Sequence, residues 1–490
     1  MRRLTFIISI ISLFIPVYLY ASPSPKKMDN WLDVLMNSEK IGYLHTWEES
    51  TVWNKQKSVL IRSQVVSKLM RFGIEFEVMQ DMGVVLNKQG SPIFSYYNES
   101  LMGSQRTIQT RNLGNQLEVL TILGNATTSS VKPWSDNGEF ESSVMYKIMK
   151  KGLKSGWSKA FDIYSPELNK SFNMLLSVSD KTTIHVNGTA WNVYPVRSEY
   201  SGADELSGLS YVTPEGVLIK CVVGSYGIEM IKTTPQKAEE FSQKVDVADL
   251  SGVKIDRSLK EPQKLKKLVL KVIPVSDKNI QTLFPTDDRQ KWKDKDKGLL
   301  ILQNSLSVSS IQSMYPIQNL PSAMSIYTSS SPYVEASHPD VMLTAQLAIG
   351  TVENSWEAVT TLNEWVHNHI QKKGFDTGFG TALETLRSRK GDCTEHAVLF
   401  AGLSRSLGIP TRLVVGLAAV ESGYFYHMWD EVYLDGRWIP IDPTFNQIQI
   451  DAAHIKLAVS DTGEDQLGDF ALNLMKALNK FRFEVVEASY

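Results

Sequence analysis

The chain has 490 residues, enough for several domains with substantial cores, and its 42% hydrophobic and 21% charged content is ordinary for a globular protein. A formal net charge of −2 gives no electrostatic argument for binding to nucleic acid or to an anionic membrane surface, so we expect no nucleic-acid partner. The sequence has two cysteines, Cys221 and Cys393, which allow at most one intramolecular disulfide.

The first 21 residues differ in composition from the rest of the chain. Met1-Arg2-Arg3 is a short positive segment, residues 4–20 are almost entirely apolar, and Ala21-Ser22-Pro23 resembles a processing site. This pattern predicts a signal peptide or an N-terminal anchor over residues 1–21. Either form delivers the rest of the chain outside the cytoplasm. We therefore expect a periplasmic or extracellular protein, or one that is tethered to a membrane by its apolar segment and faces outward.

Residues 28–231 have the pattern of an all-β domain. Apolar and charged residues alternate over 74–78, and similar alternation recurs along the segment, with a hairpin turn at Asn187-Gly188. Many short strands with little helix predict an antiparallel sandwich or half-barrel. Cys221 shares one face of a predicted strand with Ile219 and Val223, which favours a core position over a disulfide with Cys393. The domain is interpreted either as a binding or positioning module or as a spacer.

The composition becomes polar and charged over residues 232–264, which predicts a linker. Residues 265–325 have the pattern of a second β-rich segment. It leads into a domain of mixed helices and strands over residues 326–470, followed by a C-terminal helix or strand over 471–490. The expected fold is therefore multidomain, all-β first and α+β second.

A helix is predicted from Cys393 to Leu407, because one stripe is largely apolar and Gly408 with Pro410 provides a stop signal. Cys393 then lies in the first helical turn. Unpaired backbone N–H groups and the positive end of the helix dipole favour a thiolate at that position. The preceding residue, Asp392, makes the surroundings of the thiol polar. These features make Cys393 a candidate nucleophile.

A β-hairpin downstream is predicted by the dipeptide Asp435-Gly436, which is typical of a two-residue turn between strands. A two-residue loop places Leu434 opposite Arg437 and thereby fixes the register of the two strands. In this register Trp429 is opposite Asp442.

His427 lies two residues before Trp429 on the same strand face, which makes it the diagonal neighbour of Asp442. Such neighbours lie about 7–8 Å apart at the backbone, close enough for an imidazole and a carboxylate to meet. We therefore predict a catalytic triad of Cys393, His427 and Asp442, with Trp429 and Glu431 in a second layer around it. His396 is a competing base, but the helix holds it at a fixed spacing from the thiol, and it lacks an obvious orienting acid other than Asp392.

Three segments resemble the transglutaminase-like superfamily of papain-type cysteine enzymes: residues 391–397 (GDCTEHA), 427–432 (HMWDEV) and 438–444 (WIPIDPT). The resemblance extends upstream to residues 356–370 but covers less than half of the chain. It implies an α+β papain-type catalytic domain in which Cys393 is the nucleophile, His427 the base and Asp442 the orienting acid. It implies neither the calcium sites nor the substrate of the animal cross-linking enzymes, and we expect no cofactor and no metal.

A Cys-His-Asp site of this kind acts on an amide carbonyl through a thioester intermediate. Hydrolysis follows if water attacks the thioester, and transamidation follows if an amine does. We favour hydrolysis of peptide or isopeptide bonds in a protein or peptide substrate. Two alternatives stay open: cross-linking by transamidation of protein glutamines, and a catalytically silent binding module.

Overall fold

The computed structural model describes residues 28–71, 74–124, 126–224, 227–241, 245–246, 252–275, 280–304, 311–317, 320–374, 380–420, 423–460, 476–477 and 480–490. The signal peptide or anchor predicted over residues 1–21 lies outside this range. The described residues form two compact units that meet in sequence between Val247 and Ala248.

The N-terminal unit consists almost entirely of strands. In chain order its elements are β1 (Asp29–Met36), β2 (Glu39–Trp53), β3 (Gln56–Arg71), β4 (Ile74–Leu86), β5 (Pro92–Leu101), β6 (Ser104–Asn112), β7 (Gln116–Leu123), β8 (Ala126–Pro133), β9 (Gly138–Glu139), α1 (Glu141–Lys151), β10 (Ser158–Ser165), β11 (Lys170–Val178), β12 (Thr182–Val186), β13 (Thr189–Tyr200), β14 (Gly208–Val212), β15 (Leu218–Val223), β16 (Ile228–Lys232), α2 (Pro235–Ala238) and β17 (Val245–Asp246).

These strands form one continuous 17-stranded sheet, antiparallel except where the short β9 and β17 pair in parallel. Strand β1 is central because it pairs with β2 on one side and with β16 on the other. Strands β2 to β8 follow as a meander on the first side, and β15, β14, β13, β11 and β10 follow on the second. The predicted all-β, antiparallel N-terminal region is confirmed, with its strands in a single sheet.

Buried polar side chains from the two sides of this sheet meet each other. Tyr97 on β5 donates a hydrogen bond to Glu99 (2.6 Å), and its hydroxyl lies 3.5 Å from a carboxylate oxygen of Glu167, between β10 and β11. Cys221 on β15 is 1% exposed and accepts a hydrogen bond from Ser210, and both cysteines of the chain are free thiols. Cys221 is therefore a core residue, as predicted.

The C-terminal unit combines helices with two four-stranded sheets. Its elements are β18 (Lys267–Pro274), β19 (Gln290–Asp294), β20 (Leu299–Gln303), α3 (Pro339–Ile349), α4 (Ser355–His369), β21 (Lys372–Lys373), α5 (Ala382–Ser388), β22 (Lys390–Gly391), α6 (Cys393–Ser406), β23 (Thr411–Val420), β24 (Gly423–Leu434), β25 (Arg437–Ile441), β26 (His454–Ser460) and β27 (Phe481–Ser489). The predicted α+β class of this region is confirmed.

One sheet has the strand order β25-β24-β23-β26, and the other has the order β19-β20-β18-β27. Apolar side chains of the two sheets share one core, which includes Leu270, Leu302, Tyr424 and Phe483. A second core packs α3, α4 and α6 against β24 and β25. Every residue from Thr394 to Arg405 is buried, so α6 is a central helix enclosed on all sides.

The structure divides the chain differently from the boundaries expected from composition. The segment 232–264 contains α2 and β17, and its described end packs into the C-terminal unit, where Val253 pairs with Tyr424 and Leu259 joins the core between the sheets. The C-terminal segment 471–490 contains β27, which pairs with β18. Strands β18, β19 and β20 and the last strand thus belong to one sheet of the same unit. Among the described residues, no helix is both long and apolar enough to cross a membrane.

Candidate active site

Cys393 is the first residue of α6, and it is half-buried. The helix begins with a capping box, since the Asp392 carboxylate accepts a hydrogen bond from the backbone of Thr394 (2.8 Å) and the Glu395 carboxylate accepts one from the backbone of Asp392 (2.9 Å). The second Glu395 oxygen accepts a hydrogen bond from the backbone N–H of Gly380 (3.0 Å). The polar residues around the thiol therefore hold the helix start in place.

Gly391 allows this close packing. Its φ of +154° and its position against Glu395 both exclude a side chain, because a Cβ there would lie 2.2 Å from Cβ of Glu395. Burial and the charge of Asp392 raise the pKa of Glu395 well above its ordinary value. The turn before the thiol is thus held by a fully buried carboxyl group.

The hairpin that carries the other two candidate residues has the predicted register. Leu434 pairs with Arg437 and Glu431 pairs with Pro440 across the turn at Asp435-Gly436. His427 lies on β24, and Asp442 follows directly after β25. The last pair of this ladder is Asp430 with Ile441, and continuing this register by one residue would place Trp429 opposite Asp442, as the turn predicts.

Cys393, His427 and Asp442 are brought together. His427 Nε2 donates a hydrogen bond to Asp442 Oδ2 (2.7 Å), and the Cys393 side chain is close enough to His427 to act on its pKa. Burial acts to lower the pKa of His427, but the charge of Asp442, its hydrogen bond and the Cys393 side chain outweigh burial and raise that pKa to about 10. The arrangement favours an imidazolium next to the sulfur.

Asp442 is fully buried and accepts four hydrogen bonds. Its Oδ1 accepts from the backbone N–H groups of Thr444 (2.7 Å) and Phe445 (3.1 Å), and its Oδ2 accepts from His427 and from His454 (3.1 Å). Burial acts to raise the pKa of Asp442, but the His427 charge and these hydrogen bonds hold it well below its usual range. The carboxylate is therefore ionised and fixed in orientation.

Two aromatic side chains enclose the pair formed by His427 and Asp442. Trp429 is 0% exposed, and its ring centroid lies 6.2 Å from that of His427 and 5.3 Å from that of His454. Phe445 stacks on His427 with a centroid distance of 4.6 Å. Trp429 was expected in this layer from its strand position. Phe445 was not, because it lies in the turn after Asp442, where no strand periodicity applies.

Glu431, the other residue expected near the triad, is part of a buried ion network. Its carboxylate accepts hydrogen bonds from Arg412 (2.6 Å) and from Lys456 (2.7 Å), and Lys456 also pairs with Asp287. These contacts join β23, β24 and β26 to the loop before β19. The structure thus places Glu431 in the support of the sheet, where its partners are cations rather than triad members.

Sequence reasoning missed His454 and Asp451. His454 is the first residue of β26, and its Nδ1 lies 2.9 Å from Asp451 Oδ1. Burial acts to lower the pKa of His454, but the Asp451 charge and the hydrogen bonds that His454 donates to Asp442 and Asp451 raise it. The only sequence signal is that both residues are polar within the run Ile450 to Leu457, which is otherwise largely apolar.

His396, the competing base, is held away from that role. Its Nδ1 donates to the backbone carbonyl of Asp392 (2.6 Å), and burial lowers its pKa to about 4. His396 is therefore a neutral, buried side chain whose hydrogen bond supports the helix start.

His427, Asp442 and His454 each place one potential ligand atom within 4.8 Å of the other two. Both imidazole Nε2 atoms lie at hydrogen-bond distance from the same Asp442 oxygen, and Asp451 occupies the second nitrogen of His454. A metal would have to replace these hydrogen bonds. We therefore assign the group to a hydrogen-bonded chain of alternating imidazoles and carboxylates.

Comparison with known proteins agrees with this geometry. Residues 343–443 match the model of the transglutaminase-like superfamily, and this part of the chain belongs to that superfamily. Kyphoscoliosis peptidase of Homo sapiens is 29% identical over 108 residues, which are 19% of this chain and 16% of that protein. The peptide-N(4)-(N-acetyl-beta-glucosaminyl)asparagine amidase of Drosophila melanogaster is 39% identical over 67 residues, which are 13% of this chain and 10% of that protein.

The chain thus spans less than a fifth of the length of these curated relatives. Among solved structures, a candidate cysteine protease from Cytophaga hutchinsonii is similar at 16% identity with a TM-score of 0.34, covering 46% of this chain and 88% of that chain. The matched part of the chain is related, distantly, to families of cysteine peptidases and amidases through the curated relatives.

Proposed function

We propose that this protein is an exported cysteine enzyme that cleaves peptide or isopeptide bonds in protein or peptide substrates. The observation that carries the proposal is the chain from the Cys393 thiol through His427 to Asp442, with 2.7 Å between the imidazole and the carboxylate. Export rests on the composition of residues 1–21.

Each residue has one role in the proposed reaction. Cys393 Sγ attacks the carbonyl carbon of the amide, and the imidazolium of His427 then donates its proton to the departing amine, leaving a thioester. Water attacks the thioester while His427 accepts its proton, and the C–S bond breaks to release the acid. Asp442 holds the imidazole in one tautomer and stabilises its charged form throughout.

Hydrolysis and amine transfer share every step up to the thioester. Hydrolysis is the proposed outcome because the resemblance does not extend to the additional domains of the animal cross-linking enzymes. Transamidation differs only in the second nucleophile, so one assay distinguishes the two. A fluorescent primary amine, added during turnover of a protein substrate, becomes covalently attached if transfer occurs and stays free if water is the acceptor.

The first test needs no substrate. Iodoacetamide alkylation of the full exported chain is followed at pH 6.5, with Cys393 and Cys221 quantified separately by peptide mass. A thiolate paired with an imidazolium reacts rapidly at this pH, so we expect fast alkylation of Cys393 that slows at least tenfold in His427→Ala. Cys221 should stay slow, because burial raises its pKa to about 12. The matched control His369→Ala removes a histidine of α4 that is bound to the Leu386 carbonyl, and it should leave the rate unchanged.

The second test measures amide cleavage on a peptide library. Cys393→Ala should abolish release of new termini, whereas Cys221→Ser should retain it. Slow alkylation of Cys393 in the wild-type protein, or cleavage that survives Cys393→Ala, would refute the proposed nucleophile.

A further inference from the structure

His454 is bound by a carboxylate at each ring nitrogen. Its Nε2 lies 3.1 Å from Asp442 Oδ2, its Nδ1 lies 2.9 Å from Asp451 Oδ1, and the residue is 1% exposed. Neither His454 nor Asp451 takes part in the proposed reaction. His454 is nevertheless buried beside Asp442, so its charge acts on the same carboxylate that orients His427.

The hydrogen-bond pattern identifies the charge on His454. Asp442 accepts two backbone N–H bonds and one from His427, so His454 Nε2 must be the donor in their contact. Asp451 accepts from the backbone N–H of Ala453 (2.8 Å) and from the side-chain amide of Gln447 (2.9 Å), one bond on each oxygen. This is the pattern of an ionised carboxylate, which makes His454 Nδ1 a donor as well. An imidazole that donates from both nitrogens is an imidazolium.

We propose that His454 is a positioning residue of the Cys393 site: its buried imidazolium shares Asp442 with His427 and limits how strongly Asp442 retains a proton on His427. The proposal rests on the proposed function, since it concerns the same proton. Asp451 and Gln447 fix the His454 ring, so the competing positive charge stays at one distance from the base.

The size of the effect follows from the geometry. The ring centroids of His427 and His454 are 5.6 Å apart, and both rings bind the same oxygen. A unit charge at about 6 Å, in an effective dielectric of about 20, changes the proton affinity of a neighbour by on the order of one to two pH units. A general base must accept a proton and also release it, so a carboxylate that held the proton too strongly would slow the return steps.

Other charged or titratable groups also face the two histidines, and they are unchanged in the variants below. Near His427 and Asp442 they are Cys393, Asp430, His396 and, through His396, Lys373. Near His454 and Asp451 they are Tyr424 and Arg289, whose guanidinium donates to the backbone carbonyls of both residues.

The test compares two alkylating reagents. Iodoacetate carries a negative charge and iodoacetamide does not, so the ratio of their rates at Cys393 follows the positive charge on His427. The ratio is measured between pH 7 and 12 with brief exposures in the full chain. The ratio falls as rising pH removes the proton from His427, and the midpoint of this fall is the midpoint for deprotonation of His427. The variant is His454→Gln, whose amide nitrogen preserves a donor toward Asp442 and removes the charge. The control His369→Gln makes the same substitution elsewhere in the unit.

We expect the midpoint in His454→Gln to rise by about one pH unit or more, and the midpoint in His369→Gln to match the wild-type value. If His454 had only a structural role, His454→Gln would slow alkylation by both reagents equally and leave the midpoint unchanged. An unchanged or lower midpoint in a folded His454→Gln variant would overturn the inference. If the wild-type protein itself shows neither fast alkylation nor a change in the ratio, the proposed function fails instead.

A second measurement does not depend on the variant being folded. Nitrogen-15 NMR of the histidine rings in the wild-type chain distinguishes imidazolium from neutral imidazole. We expect both ring nitrogens of His454 to remain protonated from pH 6 to pH 9. A neutral His454 in this range would also overturn the inference.

Discussion

The ring of Phe445 lies nearly parallel to the imidazole of His427, with an angle of 11° between their planes. Phe445 is 42% exposed and His427 is 7% exposed. Phe445 therefore shields the His427 imidazole from solvent, and its own outer surface is exposed to solvent. The backbone N–H of Phe445 binds Asp442, so one residue contacts both partners of the ion pair.

Phe445→Ala should expose His427 and weaken its pairing with Asp442, because water screens charges more strongly than an aromatic ring does. We expect iodoacetamide alkylation of Cys393 at pH 6.5 to slow by about 2- to 10-fold, in line with about 0.5–1.5 kcal/mol for an aromatic pair. Alkylation is measured beside Leu347→Ala, which truncates a 73% exposed apolar side chain on α3. Equal rates in wild type and Phe445→Ala would show that the ring does not protect the pair.

Asp442→Asn keeps the size of the side chain but replaces an oxygen that accepts two imidazole hydrogen bonds. The wrong His427 tautomer is then favoured, and acyl transfer should fall by about 10³- to 10⁴-fold. Steady-state turnover on a substrate from the peptide library measures the loss. Asp451→Asn, which lies two residues beyond Asp442 in the hydrogen-bonded chain, is the matched control and should cost much less. Near-normal turnover in Asp442→Asn would show that Asp442 only stabilises the turn and does not orient His427.

Asp430 on β24 is 0% exposed, and neither carboxyl oxygen has a hydrogen-bond partner among the described residues. Burial and the charge of Asp442 raise its pKa well above the ordinary value, although Arg405 acts in the opposite direction. Between about pH 4 and the raised pKa, the folded state keeps a proton on Asp430 that the unfolded state has lost. Stability should therefore fall as pH rises from about 4 toward the raised pKa, by up to about 1.4 kcal/mol per pH unit.

Asp430→Asn cannot lose this proton, so its advantage over wild type should grow as pH rises. Urea unfolding at pH 5, 6.5 and 8 measures the difference, with Asp340→Asn, a surface carboxylate paired with Arg387, as control. A constant difference across these pH values would mean that Asp430 is ionised in the folded protein.

Gly416→Ala tests the close packing of β23. A Cβ on Gly416 would lie 1.9 Å from the carbonyl oxygen of Ile455 and 2.5 Å from the Trp429 ring, so β26 and the indole must both move. Overpacking of this kind costs about 1–3 kcal/mol. We expect a lower melting temperature and slower alkylation of Cys393, because the displaced Trp429 ring stacks on His427. Val420→Ala, an exposed position on the same strand, should change neither.

Local sequence rules predicted the parts of the site that are local in the chain. The helix start at Cys393 and the hairpin register both follow from capping and turn chemistry within a few residues. His427 and Asp442 could be related because a two-residue turn fixes which residues face each other. The position of Phe445 follows from a turn whose backbone conformation the sequence pattern does not specify.

Pairings between distant segments could not be predicted in this way. His454 reaches Asp442 because β26 lies beside β23, and no turn signal in the sequence relates those two strands. The pairing of β27 with β18 joins residues more than 200 positions apart, which is why composition suggested a separate tail. In both cases the partner strand is determined by which apolar faces are buried together. Many strands have similar apolar faces, so the sequence pattern does not identify the partner.

The central strand of the N-terminal sheet has a consequence for how the protein folds. Strand β1 pairs with β2 across a short turn, but its pairing with β16 joins Leu32 to Lys232, 200 residues later. The meander from β2 to β8 can assemble from neighbouring hairpins, whereas closure of β16 onto β1 requires a very long loop to form first. Until that closure the free edge of β1 offers unpaired backbone groups to any other strand, so we expect aggregation during folding to begin at this edge.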